Sequence, residues 1–321
     1  MTQRFTPLSG KSLIVTGGTG FLGSAFVRYA IDAGADVQVV ARSTADHWRL
    51  SAYRDRYRVL TTTIEGLAEL SVDIAKDTIL VHFAAAGVNQ TDDDIVRMVD
   101  TNIVGTLSTL AFAKQNGARR FVLVGSSGEY GPGVHLSEDA ALRPTAEYGA
   151  TRASATMLAR AYGKRRDIEV TVVRPFAVFG PFEAPYRLIP YAILSALRGV
   201  PIKISSGQQT RDYVYVDDVS AGIASACVIK EAGGEIFNLC TGIETSVRDA
   251  ASLVAMLVDK RVEVDCGVIP QIPGEMWQTS GDPSRAHKVL GWSPRVELTT
   301  GLEETINWFR KTGLRLPIYT E

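Results

Sequence analysis

The chain has 321 residues, of which 45% are hydrophobic and 21% are charged. This composition excludes an intrinsically disordered chain and a small scaffold that depends on disulfide bonds, and the length is sufficient for about two domains. Lys and Arg number 34 against 35 Asp and Glu, so the charge balance argues against a protein that binds polyanions such as nucleic acids.

Strand and helix patterns alternate through the first half of the chain. A branched apolar run over 11–16 leads into a glycine turn, and a helical pattern then continues to Gly34. Later apolar runs predict further strands at 37–40, 78–83, 121–124 and 170–173. This alternation predicts an α/β fold with a doubly wound parallel sheet that helices cover on both faces.

After Pro175 the pattern changes, because prolines become frequent and the strict alternation is lost. We therefore predict a second, smaller lobe built from two separate stretches of chain. The predicted boundaries place 1–175 and 210–232 in a dinucleotide-binding domain. They place 176–209 and 233–321 in an α/β lobe that binds the substrate.

Three glycines, Gly17, Gly20 and Gly23, recur at every third residue where the first predicted strand turns into the first helix. Glycine lets the backbone approach a phosphate closely, and the free N–H groups at a helix start stabilise its negative charge. Because a strand precedes this turn and a helix follows it, the turn predicts a site for the pyrophosphate of a dinucleotide.

More motifs follow the glycine turn in chain order. They are His82-Phe-Ala-Ala-Ala86, Thr101-Asn-Ile-Val-Gly-Thr106, Ser126-Ser-Gly-Glu-Tyr-Gly131, Tyr148-Gly-Ala-Thr-Arg152, Arg174-Pro-Phe-Ala-Val-Phe-Gly-Pro181, Gln209-Thr-Arg-Asp-Tyr213 and Leu290-Gly-Trp-Ser-Pro294. Together they resemble the extended short-chain dehydrogenase/reductases, in the branch of nucleotide-sugar epimerases and dehydratases. The resemblance implies a Rossmann-type sheet and redox-neutral chemistry on a nucleotide sugar through transient oxidation at C4.

The cofactor that the resemblance implies is NAD, with NADP as the alternative. An acidic residue after the second strand would hold the ribose hydroxyls of NAD, but Ala41 and Arg42 stand there. An arginine at this place suits the 2′-phosphate of NADP, whereas relatives that oxidise and re-reduce one substrate mostly retain NAD, so we expect NAD. By resemblance, the cofactor contacts are Gly17, Gly20, Phe21, Leu22, Gly23, Arg42, Ala84, Ala85 and Asn102.

Tyr148 and Arg152 are four residues apart and would share one face of a helix. The resemblance makes Tyr148 the base that takes the proton from a sugar hydroxyl. A free phenol has a pKa of ~10 and needs a nearby cation to act at neutral pH. The family has lysine at the place of Arg152, and guanidinium is longer and planar. Ser127, or else Ser126, would hydrogen-bond the reacting sugar oxygen.

By resemblance, Glu129 takes the place of the glutamate that removes the C5 proton in dehydratases. Gly128 stands where 4,6-dehydratases carry the acid that protonates the leaving C6 hydroxyl. Oxidation at C4 acidifies the C5 proton, so one carboxylate suffices to begin elimination. If hydride then returns to C4, a 5,6-alkene remains. This pattern is similar to that of UDP-GlcNAc 5,6-dehydratases of antibiotic biosynthesis, and we predict 5,6-dehydration of a UDP-hexosamine.

Three other functions stay open at this point. They are a UDP-sugar 4-epimerase, an NADPH-dependent reductase of a keto-sugar, and a non-catalytic dinucleotide sensor. The joint presence of Ser127, Glu129 and Tyr148 argues against the sensor.

The resemblance also predicts how the nucleotide sugar is held and how two copies associate. Arg211 would anchor the diphosphate, since guanidinium suits a two-pronged contact, and a domain-interface salt bridge is the alternative. Family members often pair through two long helices, here near 96–113 and 148–162, so we expect a homodimer. The substrate contacts that we predict are Ser126, Ala177, Leu188, Ile202 and Arg211.

Neither a metal site nor a membrane segment is predicted. The four histidines and three cysteines do not have the spacing of metal ligands. No apolar run approaches the roughly 20 residues that cross a bilayer. We expect a cytoplasmic protein.

Overall fold

The computed structural model describes residues 8–75, 77–89, 92–258, 261–271 and 275–319. Its strands, in chain order, are β1 (Ser12–Thr16), β2 (Asp36–Ala41), β3 (Arg58–Thr61), β4 (Ile79–His82), β5 (Arg120–Val124), β6 (Gly133–Leu136), β7 (Glu169–Pro175), β8 (Ala177–Phe179), β9 (Ile202–Lys203), β10 (Thr210–Arg211), β11 (Tyr213–Tyr215), β12 (Ile236–Leu239), β13 (Thr245–Ser246), β14 (Val264–Asp265) and β15 (Thr279–Gly281).

The α-helices are α1 (Phe21–Asp32), α2 (Ile95–Val99), α3 (Gly105–Gln115), α4 (Glu147–Arg166), α5 (Leu188–Leu197), α6 (Val216–Val228), α7 (Val247–Val258) and α8 (Leu298–Lys311). A π-helical turn, Asp100–Val104, joins α2 to α3. Within the described ranges, no helix is both long enough and apolar enough to cross a membrane.

Seven parallel strands form the main sheet, in the order β3-β2-β1-β4-β5-β7-β12. Helices α1 and α6 pack on one face, where Phe26 and Ile223 are fully buried. Helices α3 and α4 pack on the other face, where Phe112 and Ala159 are fully buried. The predicted α/β fold with a doubly wound parallel sheet is therefore confirmed.

The carboxyl ends of the parallel strands meet along one edge of this sheet. Strand order reverses between β1 and β4, and a reversal of this kind opens a crevice in which ligands bind. The chain leaves β1 at Thr16, β4 at His82 and β5 at Val124 beside this crevice. The segments that follow these strands carry most of the predicted site residues.

A second hydrophobic core lies among α5, α7, α8 and β11. The predicted domain boundaries differ from the structure at two places. Strand β12, which we assigned to the lobe, pairs with β7 of the main sheet. Residues 210–215, which we assigned to the dinucleotide domain, form β10 and β11 in two small sheets. Hydrophobic periodicity predicts none of these three short strands, and it does not show which strand each one pairs with.

Candidate active site

The glycine turn after β1 has the tight shape that a dinucleotide requires. Gly17 has a φ of +66°, and a Cβ built there would lie 2.6 Å from the backbone nitrogen of Ala84. A Cβ at Gly23 would lie 2.2 Å from the carbonyl oxygen of Gly17. Both separations are shorter than any ordinary contact, so a side chain at either position would force the turn open.

The start of α1 presents free N–H groups to this turn. Gly20 caps the helix without a side-chain hydrogen bond, and no acidic residue lies in the first turn. Phe21, Leu22 and Gly23 are the first three helical residues, so their N–H groups have no partner within the helix. Together with the positive end of the helix dipole, they suit the negative charge of a pyrophosphate. The residues present therefore fit a dinucleotide cofactor.

We expect the substitution Gly17→Ala to abolish dinucleotide binding, because the new methyl group would collide with the backbone of Phe83 and Ala84. The matched control is Gly117→Ala. Gly117 also has a positive φ, +80°, but nothing lies within 4 Å of a Cβ built there, so only the backbone strain is shared. Calorimetric titration with NAD should show binding lost in the first variant and kept in the second. If both variants lost NAD binding equally, backbone strain rather than the collision with Phe83 and Ala84 would explain the loss.

The other predicted cofactor residues border the same crevice. Arg42 follows β2 and is exposed, whereas Ala84 and Ala85 follow β4 and are half-buried.

Asn102 lies in the π-helical turn and is fully buried. Its side chain accepts a hydrogen bond from the Ala86 N–H (2.8 Å) and donates to Ala86 O (3.0 Å) and Thr151 Oγ1 (2.9 Å). This differs from the direct cofactor contact that we expected. Because its polar atoms are engaged within the protein, Asn102 holds the loop after β4 against α4.

Arg152 lies inside the protein and is 1% exposed. Its guanidinium donates to the carbonyl oxygen of Val124 and lies 3.5 Å from that of Ala84, while its Nε has no hydrogen-bond partner. The partners are thus two carbonyl oxygens at the crevice rather than a carboxylate. Burial, reinforced by the charge of Arg152, lowers the pKa of nearby His82 to about 3, so that histidine is neutral.

Tyr148, the second residue of α4, is half-buried and lies against the turn that follows β5. A Cβ built at Gly128 in that turn would be 3.9 Å from Cδ1 of Tyr148. The hydroxyl of Ser126 accepts a hydrogen bond from the Gly128 N–H (3.1 Å), and Ser127 is half-buried beside it. The structure thus brings the predicted base and both candidate serines together.

Glu129 has a different environment from the one that a C5 base needs. It is 0% exposed. Its Oε1 accepts a hydrogen bond from the Ser126 N–H (3.0 Å). Its Oε2 accepts one from Arg174 Nε (2.9 Å) and forms an ion pair with Arg174 Nη2 at 2.8 Å. Both oxygens are therefore engaged inside the protein. This geometry argues against the predicted role of C5 base, because a base must face the proton that it removes.

Sequence reasoning did not assign a role to Arg174. The available signal was an arginine near the end of β7, directly after two valines, where a charged side chain is rarely buried without a partner.

Arg211, the predicted diphosphate anchor, forms an ion pair with Glu275 at 2.9 Å. The same guanidinium donates to Met276 O (2.7 Å) and Thr210 O (2.8 Å). A diphosphate at Arg211 therefore has to replace or share these contacts. The sequence motif around Arg211 contains no signal of Glu275, which lies 64 residues later in the chain.

The other predicted substrate residues lie in or against the hydrophobic core of the lobe. Ala177 begins β8 and pairs with Tyr213, and Leu188 begins α5. Ile202 is fully buried in the lobe core, so its side chain does not face a ligand. Only its backbone remains to contact a substrate. No group of three or more metal-ligand side chains is found among the residues that the structure describes.

Comparison with known proteins identifies the family. The model of the NAD dependent epimerase/dehydratase family matches residues 13–240. A UDP-glucose 4-epimerase from Mycolicibacterium smegmatis is 30% identical, over 92% of this chain and 98% of its own length. A dTDP-glucose 4,6-dehydratase from Streptomyces griseus is 31% identical, over 93% and 94%.

Among solved structures, the UDP-glucuronic acid 4-epimerase from Bacillus cereus in complex with UDP-glucuronic acid and NAD superimposes with a TM-score of 0.83. It is 27% identical, and the match covers 94% of this chain and 99% of that one. The expectation of NAD as the cofactor is confirmed at the level of the family. The chain belongs to the NAD-dependent epimerase/dehydratase family, and its relatives are nucleotide-sugar 4-epimerases and dehydratases of the extended short-chain dehydrogenase/reductase type.

Proposed function

We propose that this protein inverts the configuration at C4 of a UDP-linked hexose or hexosamine. The observation that carries this proposal is the engagement of Glu129 by Ser126 and Arg174. Oxidation at C4 needs a base and a hydrogen-bond donor at one hydroxyl. Tyr148 supplies the base, and Ser126 or Ser127 supplies the donor; both serines lie in the turn over 126–129, which we call the serine turn. Elimination of water also needs a base at C5, and the one carboxylate of this turn is occupied.

Each residue then has a limited task. Tyr148 takes the proton from the C4 hydroxyl, and a serine hydroxyl donates a hydrogen bond to the same oxygen. NAD, held at the glycine turn, would supply the acceptor for the C4 hydride and the source from which that hydride returns. Arg211 holds the diphosphate while the 4-keto sugar turns its opposite face, and Tyr148 gives its proton back to the C4 oxygen. Protons and electrons balance within one turnover, so no cofactor is consumed.

The second candidate is the 5,6-dehydration that the sequence first suggested. Its support is Gly128. Because glycine offers no acid for protonating a C6 leaving group, a dehydratase with this residue is expected to leave the 5,6-alkene rather than to act as a 4,6-dehydratase. It also requires that Glu129 leave Arg174 and turn toward C5, and for that reason we rank it below epimerisation.

The test is incubation of the purified protein with UDP-glucose, UDP-GlcNAc and UDP-glucuronate in separate reactions. We expect one of them to give a product of unchanged mass with an inverted C4 signal in proton NMR, and no net change in cofactor. Loss of one water would support the dehydratase, and cofactor consumed in step with product would support the keto-sugar reductase. No turnover of any sugar would favour the dinucleotide sensor.

We also propose that two copies pair through α2 and α4. Apolar side chains on these helices are exposed in the single chain, among them Val96 (71%) and Met157 (58%). Exposed apolar side chains on two helices are typical of a protein interface.

Dimer formation should be lost in Val96→Asp and in Met157→Asp, because either places a charge within the paired apolar surface. The matched control is Met256→Asp, since Met256 is 51% exposed on α7, away from α2 and α4. Analytical ultracentrifugation should give monomers for the first two variants and dimers for the control. Dimers in all three would place the interface elsewhere.

A further inference from the structure

The buried ion pair between Glu129 and Arg174 joins the serine turn, to which Glu129 belongs, to the end of β7. Both side chains are almost completely buried. The guanidinium also stacks on the ring of Tyr130, with its central carbon 4.5 Å from the ring centroid. Burial is the largest single influence on the pKa of Arg174 and lowers it, but the charge of Glu129 together with Tyr130 and the hydrogen bonds to both raises the pKa overall. Geometry therefore makes this pair a fixed element of the protein interior.

Glu129 also contacts the backbone of the serine turn. Its Oε1 accepts the N–H of Ser126, and the Ser126 hydroxyl in turn accepts the N–H of Gly128. These two contacts form a capping box that closes the short helical turn Ser127–Glu129. A single carboxylate thus determines the conformation of the segment that carries both serines.

The chain accommodates this arrangement with glycines. A Cβ at Gly125 would lie 2.3 Å from Oε1 of Glu129, and a Cβ at Gly149 would lie 2.3 Å from Gly128 O. The first glycine makes room for the carboxylate. The second lets the turn pack directly on α4, next to Tyr148. A displacement of the carboxylate would therefore move the serine hydroxyls relative to the base.

We propose that Glu129 is a positioning residue that, held by Arg174, fixes the serine turn beside Tyr148 and takes no proton from the substrate. This role rests on the proposed oxidation at C4, which requires the serine and tyrosine hydroxyls to reach the same sugar oxygen. Misplacement by about 1 Å is enough to lower turnover about 100-fold, so a residue that never touches the sugar can control the rate.

The sharpest test compares Glu129→Gln with the double variant Glu129→Gln, Arg174→Gln. The single variant leaves the Arg174 charge buried without its partner, so the turn should shift and kcat should fall about 10- to 100-fold, with KM changed much less. In the double variant the two introduced amides can hydrogen-bond to each other, since the amide at position 174 reaches the place that the Arg174 Nε occupies in the parent. We expect kcat to recover to within about 5-fold of the parent.

The double variant has no carboxylate at position 129, so recovery of kcat in it would show that Glu129 does not act as a base. A double variant that regains the thermal stability of the parent but stays as slow as Glu129→Gln would overturn the proposal. Glu138→Gln is the matched control, because Glu138 is also a buried carboxylate, bonded to the Asn238 N–H and near Arg285, but lies outside the turn. It should lose stability and keep kcat.

Crystal structures give a second readout that does not depend on turnover. In Glu129→Ala the Ser126–Gly128 segment should move, and in the double variant it should keep its place. An unmoved segment in Glu129→Ala would contradict the positioning role. If the parent turns over no sugar at all, the proposed function fails, while these structures still decide whether Glu129 holds the turn.

Discussion

Replacing Tyr148 with Phe should lower kcat by about 10²- to 10⁴-fold, the range typical of a lost general base. The variant keeps the ring that lies against the Gly128 turn and loses only the hydroxyl, so KM for the nucleotide sugar and the content of bound NAD should change little. Steady-state kinetics and cofactor release after denaturation measure these quantities.

Tyr162→Phe is the matched control for this substitution. Tyr162 lies on the same helix and packs against the core between α3, α4 and the sheet. It should keep full activity. A Tyr148→Phe protein that turns over as fast as the parent would mean that another group removes the hydroxyl proton.

Removing the charge of Arg152 should have the second large effect. Arg152→Met keeps an unbranched side chain but leaves the carbonyl oxygens of Val124 and Ala84 without their donor. We expect kcat to fall about 10²-fold or more, because the loops after β4 and β5 lose the group that joins them beside the crevice. Steady-state kinetics measure the loss.

Arg152→Lys separates charge from shape. A lysine restores the positive charge and the residue typical of the family, but it cannot contact two carbonyl oxygens with one planar group. Activity between that of the parent and that of Arg152→Met is expected. Arg160→Met, on an exposed side of the same helix, controls for loss of an arginine. Full activity in Arg152→Met would remove the guanidinium from the catalytic machinery.

Local sequence patterns were sufficient for the start of the dinucleotide half, although they did not place β12 in its sheet. The strand, glycine turn and helix at residues 12–32 lie where the pattern predicts them, because apolar periodicity, missing side chains and helix capping all act within a few residues. The parallel direction of the strands follows from the same alternation, since parallel strands need crossover connections.

Glu129 shows where this reasoning ends. A motif places its carboxylate next to the catalytic serines, but it does not show whether the carboxylate faces the crevice or the interior. That choice depends on Arg174, which lies 45 residues later and approaches only after β5 and β7 pair. Arg211 is similar, because its partner Glu275 comes from a distant segment. In both cases, a partner brought in by the tertiary fold decides what a charged side chain can do.

The fate of the C5 proton tests the proposed epimerisation most directly. The reaction should be run in deuterium oxide with the UDP-sugar that the protein converts, and the product examined by mass spectrometry and proton NMR. The 4-epimer should appear with the mass of the substrate and with no deuterium on carbon, because hydride leaves and returns at C4 without exchange. Loss of one water, or deuterium at C5, would contradict this and would show that a base acts at C5 after all.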